Sequence, residues 1–407
     1  MMPIQKPRIA ILTIHPLNYG GVLTVLKIVH HFCTRFFEPT LFFPSFDASL
    51  CRSLKHPFNK PSIKETEYFD MQSIEIGTAW SIWEPGHYQY TINLWQEALK
   101  DFDYFFVVSG TVIAAHPLAL LKKKHVIWAA TSYDEDRAVR KNSFSLPHKI
   151  IDRLAHSKML AIEKQILKQA NAIGAMSAYT QRTFEEIRVT HIPKIRYIGV
   201  PVKPLESLPH KAHSPEKIII AVGRFDDPRK NADLLFSAFE IIYAHDRNIR
   251  LVIIGKRPEK YLIEKYKDSP AFDAITMTGH ISDAELDTWY LQADLLLITS
   301  HQEGLGIIGL EAMAKGIPVV STDCGGPRDF VYSNKNGHLV PLNDPKSMAH
   351  AALKILTDDT LAQTMRKNAY EYVQNNASYK KTEQLFQRML SDVYPELANL
   401  FIQEILP

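Results

Sequence analysis

Cysteine is scarce in this sequence: Cys33, Cys51 and Cys324 are three in number and scattered. An odd, unspaced set offers neither a disulfide framework nor the paired spacing of a zinc site, and it suits a reducing cytoplasm. An excess of charge is missing too, since 47 Lys and Arg against 44 Asp and Glu leave a net charge of +3. So small a surplus does not point to nucleic acid as a partner. No run of about twenty apolar residues is available to span a bilayer, and the first residues carry no secretory pattern, so the expected location is cytoplasmic. Neither an internal repeat nor a low-complexity tail stands out. What remains is 407 residues of ordinary globular composition, long enough for two domains with a core each.

The most informative stretch runs from Leu295 to Asp323, LLLITSHQEGLGIIGLEAMAKGIPVVSTD. Leu295 to Ile298 reads as a buried strand, Ile307 to Ala314 has helical apolar spacing, and Ile317 to Val320, after Gly316, reads as a second buried strand. Together they predict a strand–helix–strand unit of a parallel sheet. Glu303 falls in the loop beyond the first strand and Glu311 about two turns into the helix. Both face the edge beyond the carboxyl ends of the strands, where open α/β sheets bind ligands. Two acids there can hold the hydroxyls of a polyol, while the helix N-terminus at Leu305 and Gly306 holds an anion. A nucleotide sugar carries both groups. Either glutamate alone would read as a solvated capping acid. Gly304, Gly306 and Gly309 also spell G-x-G-x-x-G, with Asp323 closing the next strand, so a dinucleotide-dependent oxidoreductase is the competing reading. Against it, that fingerprint belongs on the first strand of its domain, and several strand-like runs precede it here.

One of those earlier runs is KIIIAVGRFDDPRKNADLLFSAF. A buried strand from Ile218 to Val222 delivers Gly223 and Arg224 to a loop; Lys230 follows, and a helix starts near Asn231 or Ala232. Arg224 can fork two phosphate oxygens and Lys230 adds a point charge, so the pair can offset a pyrophosphate without a metal ion. The amino-terminal half opens in a similar way. A strand from Ile9 to Ile14 leads through a loop to Gly20 and Gly21, then to a helical pattern from Val22 to Phe32. Glycines at such a turn let backbone N–H groups approach a phosphate closely, or merely make the turn. Strands at Thr40–Phe43, Tyr104–Val108, Val126–Ala130 and Ala172–Met176 alternate with helical segments, as in a doubly wound sheet.

The Glu303–Glu311 segment, with its AMAKGIPVV and GGPRDFV continuation, resembles the retaining glycosyltransferases of family 4 (glycosyl transferases group 1). The resemblance implies the GT-B fold, in which two Rossmann-like doubly wound domains face each other across a cleft. The expected domains are residues 1–200 on the acceptor side, with a C-terminal helix in 380–407 packing back on them, and residues 201–379 on the donor side. Pro201, Pro204 and Pro209 mark the hinge.

The same resemblance implies retaining hexosyl transfer from a nucleotide diphosphate-sugar to a glycan or lipid-linked acceptor, with no metal and no cofactor beyond that co-substrate. By it Arg224, Lys230 and Glu303 are the catalytic residues. Gly223, Leu305, Gly306 and Glu311 bind donor, Glu311 through the ribose; His280 and Ile281 hold the base through backbone groups; and Gly20 and Gly21 face the diphosphate from the other domain. Family members often place a histidine after the strand equivalent to Val126–Ala130. Here the run is WAATSYDED, leaving Thr131, Ser132 or Asp134 at that position. The missing histidine favours, as a second reading, a subunit that binds nucleotide sugar without turning it over.

Residues 137–168 carry eight Lys and Arg against Asp152 and Glu163, with Ile150, Ile151, Leu154 and Leu160 interleaved. The stretch reads either as a solvated amphipathic helix packed on its own domain or as a face for peripheral contact with an anionic membrane.

Overall fold

The computed structural model describes residues 6–14, 21–80, 88, 91–141, 144–187, 189, 193–208 and 214–402. The chain divides into two compact units: Met1–Ile198 with Glu383–Pro407, and Gly199–Thr382.

The first unit opens with β1 (Arg8–Leu12), whose last four residues are fully buried, followed by α1 (Gly21–Phe36) and β2 (Glu38–Pro44). Next comes a hairpin of β3 (Ile63–Tyr68) and β4 (Met71–Ile76), for which the sequence carries no turn signal. Then follow α2 (Ile92–Ala98), β5 (Tyr104–Ser109), α3 (His116–Leu120), β6 (Val126–Ala129), α4 (Tyr133–Arg140), α5 (Leu146–Gln169), β7 (Ala172–Ala175), α6 (Ala178–Glu186) and β8 (Ile195–Tyr197). The sheet order is β3-β4-β2-β1-β5-β6-β7-β8, parallel except for the β3–β4 pair. Parallel strands covered on both faces must be apolar throughout, which is why FFVV in β5 and VIWA in β6 read as continuous runs.

In the second unit come β9 (Lys217–Arg224), α7 (Ala232–His245), β10 (Ile249–Lys256), α8 (Lys260–Tyr266), β11 (Ile275–Gly279), α9 (Asp283–Gln292), β12 (Leu295–Ile298), α10 (Ile307–Ala314), β13 (Val319–Thr322), β14 (Gly337–Val340), α11 (Pro345–Leu356) and α12 (Asp359–Asn376). All five strand pairs are parallel and the order is β11-β10-β9-β12-β13-β14. Counted within the unit that is 3-2-1-4-5-6, the order of nucleotide-binding doubly wound sheets. Phe236, Phe239, Leu251, Ile253, Leu295 and Met348 fill its core. The chain then runs through α13 (Tyr379–Val393), within which the division between the units falls, to α14 (Ala398–Ile402). Instead of one C-terminal helix there are two. Pro395, which has no N–H to continue the first, starts a short 3-10 turn between them. On the first unit, Phe386 of α13 packs against Phe32 and Phe106, and the Tyr394 hydroxyl donates to the Lys124 carbonyl at 2.7 Å.

Candidate active site

In the second unit β9, β10 and β11 are laid down in one direction, and β12 then returns to the far side of β9. Loops leaving the carboxyl ends of β9 and β12 therefore diverge, and a crevice opens at this switch point. Strand β9 runs two residues further than expected, so Gly223 and Arg224 close it in register with Gly255 and Lys256; the loop after it carries Lys230, and the loop after β12 carries Glu303.

Asp227, which the sequence reading passed over, organises the β9 loop. It caps the 3-10 turn Pro228–Lys230 by accepting from the Arg229 N–H at 3.0 Å. It also takes the Arg229 guanidinium on Oδ2 at 2.7 and 3.1 Å, and Arg224 on the same oxygen at 3.3 Å. Burial pushes this carboxyl up, but the hydrogen bonds and charge of Arg229, with the charge of Arg224, outweigh it and hold it at about 2. Asn231 then takes a left-handed turn and caps α7. Gly223 leaves room for the lysine stem, because a Cβ there would stand 3.1 Å from Lys230 Cε. Two bonds tie this loop to the next: the Thr299 hydroxyl donates to the Lys230 carbonyl at 2.8 Å, and the His301 N–H to the Arg229 carbonyl at 2.7 Å.

Lys230 reaches across the switch point. Its Nζ lies 2.7 Å from Glu303 Oε1, with the two side chains only 20% and 15% exposed. The Ser300 hydroxyl donates to the same oxygen at 2.6 Å, so Oε2 is left for a ligand hydroxyl. Burial raises the Glu303 carboxyl, yet the Lys230 charge and the bonds from Lys230 and Ser300 bring the net shift below the ordinary value. Glu303 is therefore an anion at neutral pH. Its main chain is pinned as well, the N–H donating to Cys324 and the carbonyl accepting from Gly326, both at 2.8 Å. A Cβ on Gly326 would sit 2.4 Å from Leu305 Cα, so only glycine lets the two loops meet. Gly306, at φ +78°, precedes α10 with no side-chain cap; the Gly309 N–H turns back to the Gly306 carbonyl at 2.8 Å, and a helix start without a side-chain cap favours an anion.

Glu311 lies one turn into α10 rather than two: the helix spans Ile307–Ala314 as expected, and the four-residue step from Ile307 to Glu311 makes a single turn. Its Oε2 accepts the hydroxyl of buried Tyr290, on α9, at 3.1 Å. Burial lifts this carboxyl to about 7; Asp283 and Asp287 add to the shift, and the Tyr290 bond and Lys315 offset part of it. Val222, Phe225, Lys230, Leu297, Ser300 and Ile308 line a shallow recess beside these groups.

The structure thus brings together Gly223, Arg224, Lys230, Glu303, Leu305 and Gly306, with Glu311 a turn further along α10. Exposed His280 and half-buried Ile281 stand apart, at the same sheet edge beyond β11, where Gly279 takes φ +71°. In the first unit exposed Gly21 begins α1, while Gly20 lies outside the described residues. At the position of the family's histidine, Thr131 and Ser132 are buried, Ser132 caps α4, and Asp134 faces His156 at 3.6 Å. Of the partners not anticipated, Asp227 was legible as an acid just ahead of a Pro-Arg helix start. Tyr290 was not, since its role depends on how α9 meets α10.

The dinucleotide reading does not fit this unit. Its G-x-G-x-x-G follows the fourth strand and not the first, and Asp323 closes the fifth strand, paired with Arg328. Gly309 serves packing, since a Cβ there would be 2.6 Å from the Phe330 ring.

Residues 204–372 match the family model described as Glycosyl transferases group 1. The phosphatidyl-myo-inositol mannosyltransferase of Mycobacterium leprae is 31% identical over 168 residues, which is 40% of this chain and 44% of that protein. The capsular polysaccharide biosynthesis glycosyltransferase CapM of Staphylococcus aureus is 27% identical over 49% of this chain and 50% of its own length. The chain therefore spans about half the length of the curated relatives it matches. Among solved structures, sucrose-phosphate synthase from Thermosynechococcus elongatus superposes with a TM-score of 0.74 at 19% identity, covering 96% of this chain and all of that one. Anabaena HepE in complex with UDP does so at 0.67 and 15%, covering 94% and 99%. At such identities the likeness speaks for fold. The fold is GT-B, built from two doubly wound α/β domains.

Proposed function

We propose that this protein is a glycosyltransferase that moves a hexose from a nucleoside diphosphate-sugar to a glycan or lipid-linked acceptor with retention of configuration. The observation that carries the reading is the Lys230–Glu303 pair at the β9/β12 switch point, with Arg224 beside it and the open N-terminus of α10 below. A donor diphosphate at this point meets Arg224, Lys230 and the helix N-terminus. As the bond to the anomeric carbon breaks, negative charge gathers on the leaving phosphate, and these donors are already aimed at it. No metal step is invoked, because the two cations and the helix supply the compensating charge. Glu303, shared with Lys230 through one oxygen, presents the other to the sugar hydroxyls, and Glu311 holds the ribose. A departing phosphate oxygen takes the acceptor's proton on the face the leaving group vacates, which keeps the anomeric configuration. The nucleotide in the HepE structure makes uridine the first base to try.

Thermal melting with UDP-, GDP- and ADP-sugars tests this. A ligand at a hundred times its Kd adds about 2.7 kcal/mol to the stability of the folded state, or a rise of about 5–10 °C for a unit of this size. One nucleotide class should raise the melting temperature of the wild type, and Arg224→Ala should abolish the rise. Stabilisation by NAD(P) alone would sink the reading. Retention is then checked by NMR of the product's anomeric centre.

A further inference from the structure

Helix α5 is two helices in one. From Met159 onward it is core: Met159, Ile162, Ile166 and Leu167 are buried with the first sheet's apolar cluster. Its first turns are not. Leu146, Ile150 and Leu154 are 77%, 60% and 77% exposed. At four-residue spacing they form one stripe, spread over an arc of about 80°. The stretch is a well-formed helix nonetheless, with Ser145 at its N-cap and Pro147 in its first turn. Packing on the chain's own domain therefore does not account for this part of the basic stretch.

Charge says what covers the stripe. Exposed Lys149 and Arg153 border it on one side and exposed Lys158 on the other, and Lys149 and Arg153 make no ion pair among the described residues. From Lys141 to Lys158 the one acid is Asp152, whose side chain is 14% exposed and turned to Arg137 at 3.7 Å. Asp134 of α4 lies nearby but is turned to His156 at 3.6 Å, so the stripe itself is bordered by Lys149, Arg153 and Lys158, which matches a surface that is apolar beneath and anionic above. No helix of the described residues is long and apolar enough to cross a membrane. We infer that the first turns of α5 lie on an anionic phospholipid bilayer, with Leu146, Ile150 and Leu154 in the headgroup–acyl boundary and Lys149 and Arg153 on the phosphates. This face is independent of the site proposed for sugar transfer.

Flotation of the full chain with vesicles tests it. The wild type should float with phosphatidylglycerol-containing vesicles, more weakly at higher salt, and poorly with phosphatidylcholine alone. Replacing Leu146, Ile150 and Leu154 together by Ser should weaken partition at least about a hundredfold. The double change Lys149→Gln/Arg153→Gln should cost about twenty-fivefold, roughly fivefold per cation, and only on the anionic vesicles. Because these side chains are exposed, melting temperatures should stay within about 1 °C. Should the serine variant melt lower, I150W gives a separate readout: its added fluorescence must shift to the blue with anionic vesicles. A wild type that does not float, or a serine variant that floats equally well, overturns the inference. So does a wild-type dimer in light scattering that the serine variant dissociates, since the stripe would then serve a second copy of the chain.

Discussion

Glu311 makes the sharpest test of the site because its protonation and its proposed task pull in opposite directions. Buried against α9 with Asp283 and Asp287 nearby, its carboxyl titrates at about 7. Accepting from two ribose hydroxyls beside the Tyr290 bond favours the ionised form, because a protonated carboxyl gives up part of its acceptor capacity to its own O–H. At pH 6 a group of this kind is about one-tenth ionised, so apparent affinity for a nucleotide sugar falls about tenfold below its high-pH plateau, and about thirtyfold at pH 5.5. A nucleotide sugar is the right probe, since its diphosphate diester does not titrate in this window. Calorimetry from pH 5.5 to 8.5 should show the fall in the wild type and a flat, weaker profile in Glu311→Gln. Stability gives an independent check. The folded value lies above the ordinary 4.5, so the native state binds the proton more tightly than the unfolded chain between those limits. Stability is therefore lost as pH rises from about 4.5 to about 7. The side chain keeps partial solvent contact, which discounts the loss to on the order of 1–3 kcal/mol. Glu311→Gln should remove that component. An affinity that is level in the wild type, or a slope that survives the substitution, would refute the reasoning.

Two further substitutions probe the geometry alone. Lys230→Ala leaves the Glu303 anion without its cation, so the melting temperature should drop by about 2–10 °C, for a loss of about 1–3 kcal/mol from a partly buried pair; adding Glu303→Ala should restore part of it, and a further drop instead would show that the pair does not carry the effect. Gly326→Ala drives a Cβ to 2.4 Å from the Leu305 backbone and should cost more than about 2 kcal/mol in denaturant unfolding, whereas Gly110→Ala, whose Cβ would meet only Val22 Cγ2 at 3.9 Å, should stay within about 0.5 kcal/mol.

How much of this was legible in the sequence depends on whether local chemistry or long-range packing does the deciding. Strands buried on both faces announce themselves. LLLI is observed over Leu295–Ile298 as predicted, and the IIIAV run lies within β9. The Ser282–Glu285 capping box of α9 is local in the same way, since cap and partner are three residues apart. The β3–β4 hairpin was not. Its turn places Phe69 and Asp70 at φ +52° and +59° with no glycine to signal it, and half of β3 is exposed, so no apolar run marks the strand. Helix α5 shows another limit. Basic and apolar residues interleave along its whole length, and only the packing of the sheet decides that Ile162 is core while Leu154 is not.

The candidate site divides along the same line. Arg224, Lys230 and Glu303 could be found because each sits at a strand end or a few residues past one, and a parallel sheet sends all such ends to one edge. What spacing could not show is that the two glutamates, eight positions apart, live in opposite surroundings. Glu303 has a lysine at 2.7 Å and stays ionised, whereas Glu311 is pushed up to about 7 by burial, with two neighbouring aspartates adding to the shift and the Tyr290 bond offsetting part of it. Carboxyls whose surroundings drive them apart in this way are equipped for different tasks. With its charge already balanced by Lys230, Glu303 can accept a sugar hydroxyl at any neutral pH without further cost. Glu311 already accepts from Tyr290 and gains its full acceptor capacity only on losing a proton, so a ribose that favours the ionised form would be bound together with a proton release. The step from sequence to chemistry therefore runs through Lys230, which neutralises Glu303, and through the burial of Glu311 against α9, more than through the carboxylates themselves.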